Sequence, residues 1–117
     1  MAANIAVLTV ALLHLAFLVL EMFLWTRPTG RKIFHLDREF ARQSATLAAN
    51  QGLYNGFLAA GLLWGQFFSG HPGEITIFFL ACVIVAGLYG ALTVNRMIFI
   101  VQALPAILAL GVVLISG

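Results

Sequence analysis

The chain has 117 residues, of which 62% are hydrophobic and only 9% are charged. Soluble globular domains carry about a quarter of their residues as charged side chains, so this composition excludes that class and predicts an integral membrane protein. The net charge of +2 is too small to indicate a nucleic-acid partner, and a single cysteine excludes a disulfide within the chain.

Four apolar segments are each long enough to cross a bilayer, which takes about 20 helical residues. They cover, approximately, residues 4–25, 46–68, 75–94 and 97–116. We therefore expect an all-α protein with a single domain over residues 1–117, a membrane-spanning four-helix bundle.

The basic residues predict the orientation of these helices. Five of the six Lys and Arg residues lie in the first loop, residues 26–45, and the sixth, Arg96, lies in the third loop. Because basic loops are retained in the cytoplasm, we expect the first and third loops to be cytoplasmic and both termini to be outside. Pro28 and Gly30 end the first helix, whereas residues 37–42 are expected to begin the second helix early, at the level of the lipid headgroups.

The second segment combines small residues with an unusual number of polar ones. Gly52, Gly56 and Ala60 are four residues apart on one stripe, a spacing that lets a neighbouring helix approach closely in lipid. Hydrogen-bonding side chains flank this stripe, namely Asn50, Gln51, Tyr54 and Asn55.

The first segment carries two ionisable residues, His14 and Glu21. They are seven residues apart, so they share nearly one helical face and are separated by about 10 Å along the axis. An unpaired carboxylate in hydrocarbon costs about 3 kcal/mol, so we expect both side chains to face the helix bundle, with Glu21 either ionised beside Arg96 or protonated. Two ligands so far apart cannot share one ion, and we expect no metal site.

The predicted topology puts these residues at similar depths in the membrane, and we therefore predict that they form one polar site that opens towards the cytoplasm. Its candidate proton-transfer residues are Glu21 and His14. Its candidate ligand-binding residues are Asn50, Gln51, Tyr54, Asn55 and Gln102, with Arg42 and Arg96 at the mouth to hold an anionic group. The amides also suit a structural role, because hydrogen bonds between membrane helices contribute about 0.6 kcal/mol each. No phosphate-binding glycine loop or nucleophile elbow occurs in the sequence, and the pattern indicates no particular cofactor.

Three stretches carry a family resemblance, residues 14–25, 49–61 and 102–106. The most specific is Asn-Gln-Gly-Leu-Tyr-Asn at residues 50–55. Together they resemble the small bacterial membrane family called domain of unknown function 1304, over nearly the whole chain. The resemblance implies a single four-helix membrane domain and supplies no activity.

Two better-understood families of membrane proteins also have short chains with four membrane helices. The eicosanoid and glutathione membrane-enzyme superfamily is similar in its charged first loop and in a helix entered by residues such as Arg42 and Asn50, which implies a trimer with a glutathione or lipid site. Leu53 stands where the motif of that superfamily is acidic. Small multidrug-resistance transporters are similar in having one glutamate in the first helix, the place of Glu21, which implies proton-coupled transport.

We therefore expect a multi-pass protein of the bacterial cytoplasmic membrane, in contact with lipid. Spare small-residue faces favour a homo-oligomer. The function expected first is binding, with or without chemical transformation, of a small amphipathic or lipophilic molecule in the polar site. The alternatives are a proton-coupled transporter of the small multidrug type that uses Glu21, and a structural subunit that binds a partner and has no chemistry of its own.

Overall fold

The computed structural model describes residues 1–116, and every regular element in that part of the chain is helical. Five α-helices follow one another, with a π-helical turn after the third and another before the fifth. The α-helices are α1 (Ala2–Met22), α2 (Pro28–Phe34), α3 (Arg38–Leu63), α4 (Pro72–Thr93) and α5 (Leu104–Ser116), and the π-helical turns are Trp64–Phe68 and Phe99–Ala103.

Three helical segments are long and apolar enough to cross a membrane: Ala2–Met22, Pro72–Thr93 and Phe99–Ser116. The chain is accordingly a membrane protein by helix length and composition. The second predicted span lies in α3 and is not among the three. The amides and glycines of α3 lower its mean hydropathy below that of the other long helices. The four-span arrangement therefore stays a prediction.

The segment that connects α1 to α3 is more helical than the predicted loop of residues 26–45. Pro28 occupies the first turn of α2, where its missing N–H breaks no helical hydrogen bond. His35 ends α2 in the left-handed conformation, with a φ of 56°. Asp37 then caps α3, because its Oδ1 accepts a hydrogen bond from the Phe40 N–H at 2.7 Å. Thus α3 begins at Arg38, within the region expected to be helical early.

Contacts divide the chain into two compact units, and α1 and α3 each contribute to both. Unit 1 comprises Met1–Leu12 and the chain from Leu58 onward, and unit 2 comprises Leu13–Phe57. The core of unit 1 consists of small and branched apolar side chains: Val7, Val10, Ala11, Ala59, Leu62, Leu80, Val83, Ala106, Ala109 and Val113. In lipid, such small residues let helices pack at close range.

Within unit 1, α4 approaches the backbone of the π-helical turn that precedes α5. A Cβ added to Gly87 would lie 2.7 Å from the backbone nitrogen of Ala103, so only glycine fits at that position. The wide turn Phe99–Ala103 comes just before Pro105, whose ring cannot donate the helical hydrogen bond to residue 101. The hydrogen bond that Pro105 cannot donate is thus missing next to the π-helical turn.

Candidate functional site

Unit 2 brings the C-terminal part of α1 against the middle of α3. A Cβ added to Gly52 would lie 2.7 Å from Met22 Cγ and 3.2 Å from the Leu18 carbonyl oxygen. A Cβ added to Gly56 would lie 2.6 Å from Leu18 Cδ1. Two of the three small residues in the predicted stripe thus meet α1 in unit 2, whereas the third, Ala60, is exposed.

The same contact joins two polar side chains. Asn55 Nδ2 donates a hydrogen bond to Glu21 Oε1 at 2.5 Å. Asn55 is only 5% exposed and Glu21 is partly buried. The hydrogen bond from Asn55 uses Oε1, and the carboxylate has a second oxygen, Oε2, that can also accept. Within unit 2 the Glu21 side chain therefore contacts α3 and has an amide as its hydrogen-bond partner.

His14 lies on the same stripe of α1, because His14, Leu18 and Glu21 follow one another at spacings of four and three residues. His14 is completely buried, and its ring packs edge-on against Phe17 with ring centroids 5.1 Å apart. The buried His14 and the partly buried Glu21 therefore lie on the same face of α1.

Three of the predicted ligand-binding residues point away from this contact. Asn50, Gln51 and Tyr54 are exposed on α3, and the Tyr54 ring packs edge-on against Phe57 at 5.7 Å. Successive helix residues are 100° apart, so the rotation that turns Asn55 towards α1 turns Tyr54 outward. The prediction placed all of them in one polar interior, whereas in unit 2 Asn55 is buried and the other three are exposed. Helix rotation accounts for this at Asn50 and Tyr54, while Gln51 lies one turn before Asn55 on the same face.

Arg42, predicted at the mouth of the site, is engaged on the surface of α3. Its guanidinium pairs with Glu39, with Arg42 Nη2 2.5 Å from Glu39 Oε1 and both side chains exposed. The hydrogen bond from Arg42 holds the pKa of Glu39 below its usual value, and the same bond raises the pKa of Arg42. Because the pKa of Glu39 is lowered on folding, the contribution of the pair to stability is present at neutral pH and lost as the pH falls through that lowered pKa. Solvent exposure keeps that contribution small.

The remaining two predicted site residues belong to unit 1. Arg96 is exposed in the connection between α4 and α5, where Asn95 Oδ1 accepts a hydrogen bond from the Met97 N–H at 2.8 Å. Gln102 is partly buried in the π-helical turn Phe99–Ala103. A wide turn of this kind often lies at functional positions in helices.

The structure shows further polar contacts that the sequence analysis missed. In unit 1, Gln66 Nε2 donates to Asn4 Oδ1 at 2.8 Å, and the buried Thr76 donates to Gln66 Oε1 at 3.0 Å. In unit 2, Trp25 Nε1 donates to Ser44 Oγ at 2.9 Å. In the sequence, these residues are visible only as isolated polar side chains within apolar segments, and nothing in the sequence specifies which residue each one contacts.

Unit 1 contains a cavity of about 280 Å³ whose lining is almost entirely apolar. Residues of α1 such as Thr9 and residues of α5 such as Pro105 line it, and the predicted site residues are not among them. Across residues 1–116, no three His, Cys, Asp or Glu side chains are grouped so that they could hold a metal ion.

Comparisons with known proteins identify a family and give no activity. Residues 8–114 match the family described as "Protein of unknown function (DUF1304)". The chain is also 39% identical over 105 residues to the uncharacterized protein YpaA of Lactococcus lactis subsp. lactis (strain IL1403), an alignment that covers 88% of each protein. No solved structure matches the chain. The resemblance inferred from the sequence is thereby confirmed, and the chain belongs to the DUF1304 family.

Proposed function

We propose that this protein binds a small amphipathic or lipophilic molecule at the Glu21–Asn55 pair, within the membrane and on its cytoplasmic side. The observation that carries the proposal is the partly buried Glu21 carboxylate, which has a neutral amide as its hydrogen-bond partner. Ionisable residues within apolar helices are costly and commonly serve a function. A ligand that donates a hydrogen bond, or carries a positive charge, would interact with the Glu21 Oε2 atom.

The location of this site inside the membrane rests on α3 being a fourth span. Together α3 and its π-helical turn run without interruption from Arg38 to Phe68. At 1.5 Å per residue this is about 45 Å, more than the hydrocarbon thickness of about 30 Å. The basic residues before and early in α3 favour a cytoplasmic beginning, which places both chain termini outside.

A homo-oligomer would explain the exposed polar face of α3. Leu47, Asn50, Tyr54 and Phe57 are all exposed and follow one another at spacings of three, four and three residues. This is the spacing of helices that pack along a common seam, and an amide is self-complementary because it both donates and accepts hydrogen bonds. Pairing with a second copy would therefore shield Asn50 from lipid.

Native mass spectrometry of the detergent-extracted protein tests the ligand proposal through the variant Glu21→Gln. The glutamine oxygen still accepts a hydrogen bond from Asn55, so the contact between α1 and α3 is preserved while the carboxylate is lost. We expect the unaltered protein to retain a small molecule that Glu21→Gln loses, with little change in the thermal midpoint. Equal retention of that molecule by both proteins would show that the pair serves helix packing alone.

The matched control is Glu74→Gln, which makes the same chemical change at an exposed position in the first turn of α4. This variant should retain the small molecule as the unaltered protein does. Loss of the molecule from both variants would indicate a general effect of charge and would contradict a specific site at Glu21.

A further inference from the structure

We propose that the segment around α2 in unit 2 binds the phosphate group of an anionic lipid. The segment from Arg27 to Arg42 holds five basic side chains and two acidic ones. The five basic residues are Arg27, Arg31, Lys32, Arg38 and Arg42. This binding site is separate from the Glu21–Asn55 pair and does not depend on the ligand proposed there.

Both acidic residues of the segment are already engaged. Glu39 pairs with Arg42 and also accepts a hydrogen bond from Gln43 Nε2 at 3.0 Å. Asp37 accepts the capping hydrogen bond from the Phe40 N–H. No carboxylate of the described residues forms an ion pair with the other four cations, which are Arg27, Arg31, Lys32 and Arg38. Their positive charge is therefore left for an external anion.

The backbone holds these cations in a defined arrangement. Gly30 is buried directly against the carbonyl group of Leu24, where any Cβ would overlap the oxygen. The Phe34 ring packs against the Trp25 indole at 5.0 Å, and that indole is itself hydrogen-bonded to Ser44. Thus α2 is attached at both ends to the rest of unit 2, and its basic side chains project from a fixed helix.

Arg31 is the centre of the proposed phosphate site. Its Nε atom is buried and has no hydrogen-bond partner among the described residues. Arg27 is the N-cap residue of α2, and its carbonyl oxygen accepts a hydrogen bond from the Arg31 N–H at 3.0 Å. The two positive charges are therefore carried by adjacent backbone positions and repel each other without an anion nearby. A guanidinium group presents its N–H donors in a fork that matches the oxygens of phosphate. A phosphate bound here would relieve the repulsion and provide an acceptor for Arg31.

The apolar neighbours of these cations favour a lipid as the source of the phosphate. Ile33 is 51% exposed and Phe40 is 53% exposed, close in sequence to the basic side chains. Moreover, α2 follows α1, a helix that can span the membrane, after only five residues. Basic clusters immediately beside a membrane helix attract anionic headgroups, and exposed apolar side chains insert among the lipid chains.

Lipid titrations of the full-length protein in a neutral detergent, read by native mass spectrometry, test this proposal. The probes are phosphatidylglycerol, phosphatidylcholine with the same acyl chains, and inorganic phosphate at the same concentrations. We expect phosphatidylglycerol to bind at least about tenfold more tightly than phosphatidylcholine, a difference of about 1.4 kcal/mol. Equal binding of the two lipids would overturn the proposal, and competition by inorganic phosphate at equal concentration would show a site for free phosphate instead.

The double variant Arg31→Gln/Lys32→Gln should abolish the preference for phosphatidylglycerol, whereas His71→Gln, a change at an exposed residue of unit 1 outside the basic segment, should leave it unchanged. The exposed Arg27→Gln is a second variant that leaves the packing of Arg31 intact, and it should weaken phosphatidylglycerol binding several-fold. Circular dichroism confirms that each variant is helical. An unchanged preference in a helical double variant, or in Arg27→Gln if the double variant does not fold, would overturn the proposal.

Discussion

The Glu21 carboxylate and the Asn55 amide form a polar contact between two otherwise apolar helix surfaces. The contact is next to Gly52, whose missing side chain lets α3 approach Met22 and Leu18. Close packing excludes water, and a hydrogen bond gains strength where water is excluded. Gly52 and the polar pair act together, because the glycine allows α1 and α3 to come close enough for the Asn55 amide to reach the Glu21 carboxylate.

Replacing Asn55 with alanine should lower the free energy of unfolding in detergent by about 1–2 kcal/mol, because it leaves the partly buried carboxylate without its partner. The matched control is Thr46→Ala, which removes an exposed polar group from the same helix and should change the free energy of unfolding by less than about 0.5 kcal/mol. Reversible unfolding in mixed micelles measures both. Equal values for the two variants would contradict a stabilising role for the Glu21–Asn55 hydrogen bond.

The sequence predicted that Glu21 and His14 would face inward, because an unpaired ionisable group is costly in lipid and the two residues share a helix face. It did not identify the partner of Glu21. Asn50 and Asn55 are both amides of the same segment, and the rotation of α3 about its axis decides which one meets α1. That rotation depends on the packing of Gly52 and Gly56, which depth in the membrane does not specify.

Among the helices, the long apolar ones were predicted from the sequence and the short one was not. Three of the four predicted segments correspond to helices able to span a membrane. The seven-residue α2 is too short for a hydrophobic period, and its ends depend on Pro28 and on the left-handed His35. Both π-helical turns were also missed, since a widened turn leaves no regular pattern in the sequence.

The packing of α4 can be tested at Gly87. The variant Gly87→Ala should lower the thermal midpoint markedly, with an energetic cost of about 1–3 kcal/mol, because the new Cβ would meet the backbone of Ala103, which cannot rotate away. Gly111→Ala is the matched control in α5, where a Cβ meets no atom of the described residues within 4 Å. The control should be neutral or slightly stabilising, since alanine favours a helix over glycine. A Gly87→Ala variant as stable as the control would contradict this close approach.

Considered as a whole, the chain is a DUF1304 family member with three strongly apolar helices and one helix of mixed character. The mixed helix, α3, carries most of the predicted site and the proposed interface between copies. Composition predicted the membrane class, because nothing else accommodates so few charged residues. The fourth span was predicted from segment length and loop charge, and its polar residues are the reason why hydropathy alone does not identify it.

The measurement that most directly tests a site inside the membrane is the sidedness of the two ends of α3. Single cysteines are introduced by Thr29→Cys in α2 and by His71→Cys just before α4, both exposed positions, in a parent that carries Cys82→Ala. A membrane-impermeant maleimide should label His71→Cys in intact spheroplasts and Thr29→Cys only in inverted vesicles, with the parent unlabelled in both. Labelling of both cysteines from the same side would show that α3 does not cross the membrane and would contradict an intramembrane site at Glu21.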